Sequence, residues 1–311
     1  MTILLYGTIY AALAAFLAAC LARAVLYARA PLHLRWELYP VPHEETRRAE
    51  HGGSYFEELD WWIKPAQFNL LGELKAMAAE IVFLKGLWEF NRKLWWRSFP
   101  FHFGLYLLIA AVLLLLLSAL LLIIAPGWMV GALGTSLHWL YTLTGLAGAG
   151  LAVMGALGLL YRRLTDQQLK TYTTPGDILN LAFFIVTIGV LAAGYLFRGP
   201  AAPSTLTVAV GLVSFDSSVE IPGLLAAGLV LGALLAAYIP LTHMSHFIAK
   251  YFTYHSVRWD DKPYLRGGNL GQKMAEYLTY RPTWAAPHIQ ADGKKTWAEV
   301  VMINPAQRVK K

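Results

Sequence analysis

The sequence predicts an all-α integral membrane protein: a five-helix transmembrane bundle with the N-terminus outside, the C-terminus in the cytoplasm, and a large cytoplasmic loop and tail. Three observations carry this. Of the 311 residues, 57% are hydrophobic and only 14% are charged, against about 25% charged in a typical soluble domain. The apolar residues collect in five runs, near 3–28, 101–125, 137–161, 178–197 and 222–248, and each reaches the roughly 20 residues a spanning helix needs. The positive charge is one-sided. Segments 29–100, 162–177 and 249–311 hold 24 of the 26 Lys and Arg residues, whereas 1–2, 126–136 and 198–221 hold only Arg198. The positive-inside rule places the basic set in the cytoplasm.

The first run, residues 1–28, reads as a spanning helix. It is too long for a signal-peptide core, lacks a basic leader and is followed by Arg29. Its Cys20, the single cysteine, reads as a small packing residue. One cysteine cannot ligate an iron–sulfur cluster, and no Cys-x-x-Cys-His for covalent haem is present. The net charge of +7 is explained by topology, and nothing supports a nucleic-acid partner.

Residues 29–100 form the expected cytoplasmic loop, with ten basic and ten acidic residues. Pro and Gly make its first half irregular. Its second half, 68–91, places Leu70, Leu74, Met77, Ile81 and Leu84 at helical spacing, predicting one amphipathic helix that lies on the membrane or against a partner. Ser98 and Pro100 then fit the N-cap and first turn of the second span.

Residues 101–248 hold spans two to five and the candidate site. His102 opens the second span and His246 closes the fifth. If the helices alternate, both rings reach one depth at the cytoplasmic face, as two axial ligands of one haem iron must. Ionisable residues within spans are costly and mark function, although two interfacial histidines bonded to headgroups are the plainer alternative. His243, one turn earlier, is a candidate donor to a haem propionate, or itself the ligand. Arg97 and Lys250 can reach propionates or snorkel to headgroups. His138, beside Trp139 and Tyr141 at the outer face, fits an aromatic belt or a quinone hydrogen bond. Small residues at Gly145–Ala149 and Gly228–Gly232 suggest close helix packing. The remaining histidines, 33, 43, 51, 255 and 288, show no metal spacing.

The tail, 249–311, is rich in Pro and Gly and carries Trp259, Trp284 and Trp297. It reads as a strap that docks a partner through aromatic anchors.

Four stretches resemble the respiratory nitrate reductase gamma subunit family of membrane cytochromes b. They are Ser98-Phe-Pro-Phe-His102-Phe-Gly104, Arg162-Arg163-Leu164 with Thr173-Thr174-Pro-Gly-Asp177 after it, Ile239-Pro240 with His246 six residues past the proline, and the number and direction of spans. The resemblance implies His102 and His246 as haem b ligands. The family's second, outer pair of ligands falls here on Val112 and Gly228, which cannot bind iron, so one haem is expected. The loop before His102 (Leu84-Lys85-Gly86-Leu87, Arg92-Lys93, Trp96-Arg97) is similar to that of cytochrome b subunits of heterodisulfide-reductase-like complexes, including sulfite-reduction-linked ones. That likeness implies electron transfer between a membrane quinone, such as menaquinone, and a cytoplasmic iron–sulfur subunit, with a periplasmic multihaem cytochrome as a further partner, in a prokaryotic inner membrane. A quinone site near the single haem is expected. The competing expectation is a cofactor-free anchor for a soluble redox complex.

Overall fold

The computed structural model describes residues 2–29, 58–60, 63–64, 70–254, 267–282 and 292–302. Histidines 33, 43, 51, 255 and 288, together with Trp259 and Trp284, lie outside them. Among the described residues every regular element is helical, and five helices are long and apolar enough to cross a membrane. The chain is a multi-pass membrane protein. It divides into a larger unit (1–23 and 74–247) and a smaller one (24–73 and 248–311).

In the larger unit α1 (Thr2–Arg29, its last turns aside) is followed by the end of α2 (Leu70–Val82), α3 (Lys85–Phe90), α4 (Arg92–Ile124), α5 (Ala132–Thr165), the single turn α6 (Gln167–Lys170), α7 (Pro175–Leu196), α8 (Thr205–Ser214) and α9 (Gly223–Tyr238). α4 and α5 are joined by a 3-10 turn at Pro126–Met129 and run antiparallel. Phe101 meets Gly155, Gly104 meets Gly148 and Ala152, and Ala111 meets Gly145, one register rising as the other falls. Glycine is required at this crossing. A Cβ at Gly155 would stand 2.4 Å from the Phe101 amide nitrogen, and one at Gly104 2.4 Å from that of Ala152. The small-residue pattern therefore does bring helices together, though Gly148 and Gly155 make closer approaches than Gly145. α7 and α9 are likewise antiparallel, through Gly194 on Leu225 and Gly228 on Leu191.

Two cores result. Leu5 and Tyr6 of α1 pack with Val208, Ile221, Leu225 and Ala226 at one end. Phe101, Ala152, Ala156, Phe184, Ile188 and Leu235 pack around the start of α4.

Several boundaries differ from the sequence reading. The second span begins at Arg92, with Asn91 rather than Ser98 as its cap: the Asn91 side chain accepts from the Leu94 amide. Ser98 and Pro100 lie inside the helix. The loop helix is broken in two at Leu84, which takes a left-handed backbone (φ 50). The fifth span also breaks. Pro240 has no amide hydrogen for the helical ladder, so the chain leaves the α-helix at Tyr238, makes two 3-10 turns (Ile239–Leu241 and His243–Ser245) and begins α10 (His246–Tyr254) at His246. The freed Pro240 and Leu241 carbonyls accept from Arg23 of α1, at 3.2 and 3.3 Å. α8, between the fourth and fifth spans, was not foreseen. α7 is better capped than expected: the Thr174 hydroxyl accepts from the Asp177 amide, and the Asp177 carboxylate accepts from the Thr174 amide.

In the smaller unit, Tyr27 packs on Phe252, Lys273 of α11 (Asn269–Leu278) donates to the Arg29 carbonyl, and Trp297 opens α12 (Trp297–Val301) by donating its amide to the Tyr280 carbonyl.

Candidate functional site

The His102 ring lies one turn inward from Ser98, and its Nδ1 is 2.8 Å from the Ser98 carbonyl oxygen. A carbonyl only accepts, so this bond requires the proton on Nδ1 and makes Nε2 the unprotonated nitrogen, the tautomer a ligating histidine adopts when its other ring nitrogen is held by a carbonyl. Phe101, buried against Phe184 and Gly155, fixes the helix at this level.

His246 reaches the same level from the other side. The break at Pro240 is what brings it there, because His246 starts a new helix rather than continuing the old one. The His102 and His246 ring centroids are 6.2 Å apart, with ring planes at 73°. A metal–imidazole bond is about 2 Å and a ring nitrogen sits about 1.2 Å from its centroid, so two rings holding one metal between facing nitrogens stand about 6.4 Å apart. The pair therefore fits a bis-imidazole iron in both spacing and donor chemistry. Among the described residues no three His, Cys, Asp or Glu cluster as a metal site, and an iron already held by four porphyrin nitrogens needs only two axial donors.

His243 belongs to a different group. Its Nε2 lies 3.8 Å from the Asp177 carboxylate and 3.5 Å from the Asn180 amide nitrogen. Asp177 also faces Arg163, at 3.4 Å. Asn180, only 6% exposed, accepts from the Tyr238 hydroxyl at 2.9 Å. This polar chain ties the start of α7 to the end of α9 and the turn before His246. Asn180 and Tyr238 were not singled out from sequence, although an amide inside an apolar run was the available signal. Arg97 bends back, donating to the Lys93 carbonyl at 2.7 Å, and its stem packs on Gly158.

A second feature lies farther along the bundle. A cavity of about 250 Å³ runs from Leu108 and Ala149, which border the His102-side core, past Val112, Gly145 and Ile188 to Tyr141, Thr142, Tyr195 and Thr205. Its wall is almost wholly apolar. The buried Thr142 hydroxyl has no hydrogen-bond partner, while Tyr141 bonds His138 Nδ1 at 2.8 Å. Val112 lines this space. Gly228 is pressed on α7, where a Cβ would come within 2.9 Å of Leu191 Cα.

A sequence model described as nitrate reductase gamma subunit matches residues 87–260, more than half of the chain and all of the site above. Members of that family are membrane cytochrome b subunits of respiratory complexes. No curated protein and no solved structure matches. On the family match and the spanning bundle together, the chain belongs to the nitrate reductase gamma subunit family.

Proposed function

We propose that this chain is the haem- and quinone-binding membrane subunit of a respiratory complex, exchanging electrons between the quinone pool and a cytoplasmic iron–sulfur partner. The observation that carries the reading is the 6.2 Å separation of His102 and His246. One haem b is held by these two imidazoles; when bound, its iron takes up and releases one electron at a time. The Ser98 carbonyl orients His102 and raises its basicity. The start of α10 presents His246, and the Asp177–His243–Asn180–Tyr238 chain braces the turn that leads to it. His246 is the better-placed ligand because its ring stands 6.2 Å from that of His102, while His243 turns toward Asp177. Arg97, held to Lys93, remains the candidate partner for a propionate.

The single-haem reading is supported by Val112, which has no donor, and by Gly228, whose position has no room for a side chain. The cavity that begins at Leu108 and Ala149 suits the ring of a quinone such as menaquinone, apolar on both faces, with the Thr142 hydroxyl a ready donor to a quinone carbonyl. Its inner end borders the core that holds Phe101, whereas Thr142 lies thirteen residues along α5 from Gly155, about 20 Å from the His102 level, so a ring bonded to Thr142 sits farther from the haem than the sequence reading expects.

Orientation follows from charge. Arg162, Arg163 and the loop before His102 mark the cytoplasmic side of a prokaryotic inner membrane, with the N-terminus outside. The tail from 249 is the docking region for the soluble partner, and a periplasmic multihaem cytochrome fits the opposite face. A reduced-minus-oxidised spectrum of the purified protein tests this: a b-type α-band is expected, lost in His102→Ala and in His246→Ala and kept in His243→Ala. Full haem in His246→Ala would overturn the ligand assignment, and no band in the wild type would leave a cofactor-free anchor.

A further inference from the structure

The chain just before His102 folds into an elbow that the haem site does not explain. From Leu74 onward α2 runs to Val82, the chain reverses at Leu84, and α3 leads into α4. Two side-chain bonds fix the elbow at a definite depth. Tyr106 stands fourteen residues into α4, about 21 Å along its axis. Its side chain points back toward the helix start, and its hydroxyl donates to the Ile81 carbonyl at 2.9 Å. The Trp95 indole N–H donates to the Phe83 carbonyl at 2.8 Å. The end of α2 therefore lies beside the part of α4 where the unbroken apolar run has begun.

These bonds have a physical reading. The last carbonyls of a helix lack helical partners. In water they need none, whereas in hydrocarbon each unsatisfied carbonyl costs several kcal/mol. Here the Ile81 and Phe83 carbonyls are closed by side chains of the spanning helix. Around them the surface is apolar and aromatic: Phe83 is 59% exposed and Phe90 87%, with Ile81, Trp88 and Trp96 also on the outside. The aromatic rings continue into α4, with Trp95 stacked on Phe99 at 4.4 Å and Phe99 on Phe103 at 5.3 Å. Between residues 74 and 97 there are five basic residues (Lys75, Lys85, Arg92, Lys93, Arg97) and two acidic ones (Glu80, Glu89), of which Glu89 pairs with Lys85 at 3.6 Å on the exposed surface, leaving an excess of positive charge. Arg92 lies over the Trp88 ring at 4.6 Å. Aromatic rings with basic neighbours are the composition of a membrane–water boundary.

We propose that the elbow from Leu74 to Arg97 is a bilayer-seated anchor. It rests in the headgroup region of the leaflet at the His102 end, sinks Ile81, Phe83 and Phe90 into the acyl boundary, and binds anionic headgroups through Lys85, Arg92 and Lys93. Its occupant is lipid rather than a soluble partner, because the elbow is tied to the spanning helix at membrane depth and carries the charge that anionic lipid recognises.

The full-length protein in nanodiscs tests this. In a Cys20→Ala background, bimane is attached to Phe83→Cys and, separately, to Phe90→Cys. Brominated acyl chains should quench both labels more strongly than aqueous iodide does. In mixed phosphatidylcholine and phosphatidylglycerol discs, phosphatidylglycerol should be enriched in the lipid that copurifies. That enrichment should fall to the bulk lipid ratio in a Lys85→Gln, Arg92→Gln, Lys93→Gln variant, since each basic residue at such a surface is worth roughly fivefold in binding and the three together on the order of 100-fold. Labels quenched by iodide and untouched by brominated lipid would overturn the proposal and open the face to a protein partner. Equal lipid selectivity in wild type and triple variant would overturn its anionic component.

Discussion

The crossing of α4 and α5 allows a sharp test of how the bundle holds His102. A methyl group added at Gly155 would sit 2.4 Å from the Phe101 nitrogen, 2.7 Å from its Cα and 2.8 Å from its Cβ. Two of these are backbone atoms, which cannot swing aside. Ordinary carbon contacts are about 3.5–4.0 Å, so Gly155→Ala forces the helices apart by about 1 Å at the residue next to His102. Overpacking of this kind costs about 1–3 kcal/mol, which is about 5- to 150-fold in an equilibrium constant. The movement is also large against metal–nitrogen bonds of about 2 Å. Gly150 is the matched control: it lies on the same helix, and a Cβ there meets nothing within 4 Å. We expect Gly150→Ala to keep the b-haem absorbance per protein and the thermal midpoint in detergent. Gly155→Ala should lower both, with haem loss exceeding the loss of folded protein. Equal haem content and equal midpoints in the two variants would refute the argument that this contact sets the position of His102.

Other expectations follow from single contacts. Arg23→Met leaves the Pro240 and Leu241 carbonyls without their donor; about 1–3 kcal/mol of stability should be lost, seen as a lower thermal midpoint, together with weaker haem retention because the turn before His246 loosens. Thr174→Ala removes half of the α7 capping box and should cost about 1 kcal/mol by the same assay. Gly145→Leu fills the cavity beside Ala111 and should raise the apparent KM for quinol while leaving haem content unchanged. In the smaller unit, hydrogen bonds from the Thr296 backbone amide and then its hydroxyl hold the Glu299 carboxyl below the usual glutamate range. A depressed folded pKa means that this contribution is present above the unfolded value and disappears as pH falls through the folded one. Amide exchange over Trp297–Val301, corrected for intrinsic rates, should therefore be slow at neutral pH and fast below the ordinary glutamate range, and flat in Glu299→Ala; Thr296→Ala, which keeps the amide donor, should retain part of the pH dependence.

How much of this was legible beforehand depended on the kind of signal. Hydropathy alone located five spans, because a helix in lipid must be apolar over its whole length. The first needed no revision beyond a residue or two at its ends. Ends governed by local chemistry were harder. Ser98 and Pro100 have the form of a helix start, yet Asn91 supplies the cap and seven further residues extend the helix. Nothing in Phe83-Leu84-Lys85 announces a break, since the left-handed residue is a leucine and the reversal is enforced by tertiary bonds from Trp95 and Tyr106. Pro240 did announce one, but a proline inside an apolar run reads equally as a tolerated kink; only the Arg23 contacts show where the freed carbonyls go. For the site, His102 and His246 stood out because ionisable residues are rare in spans, and the geometry brings them together. Asn180 and Tyr238 were passed over because neither is charged, and the cavity depends on the shape left among five packed helices, which no linear pattern encodes.

The central claim is one porphyrin iron gripped by His102 and His246. Pyridine haemochrome analysis of the purified full-length protein, set against its protein content, tests it most directly. The account predicts one haem b per chain in the wild type and almost none in His246→Ala. Two haems per chain, or an unchanged value in His246→Ala, would contradict it.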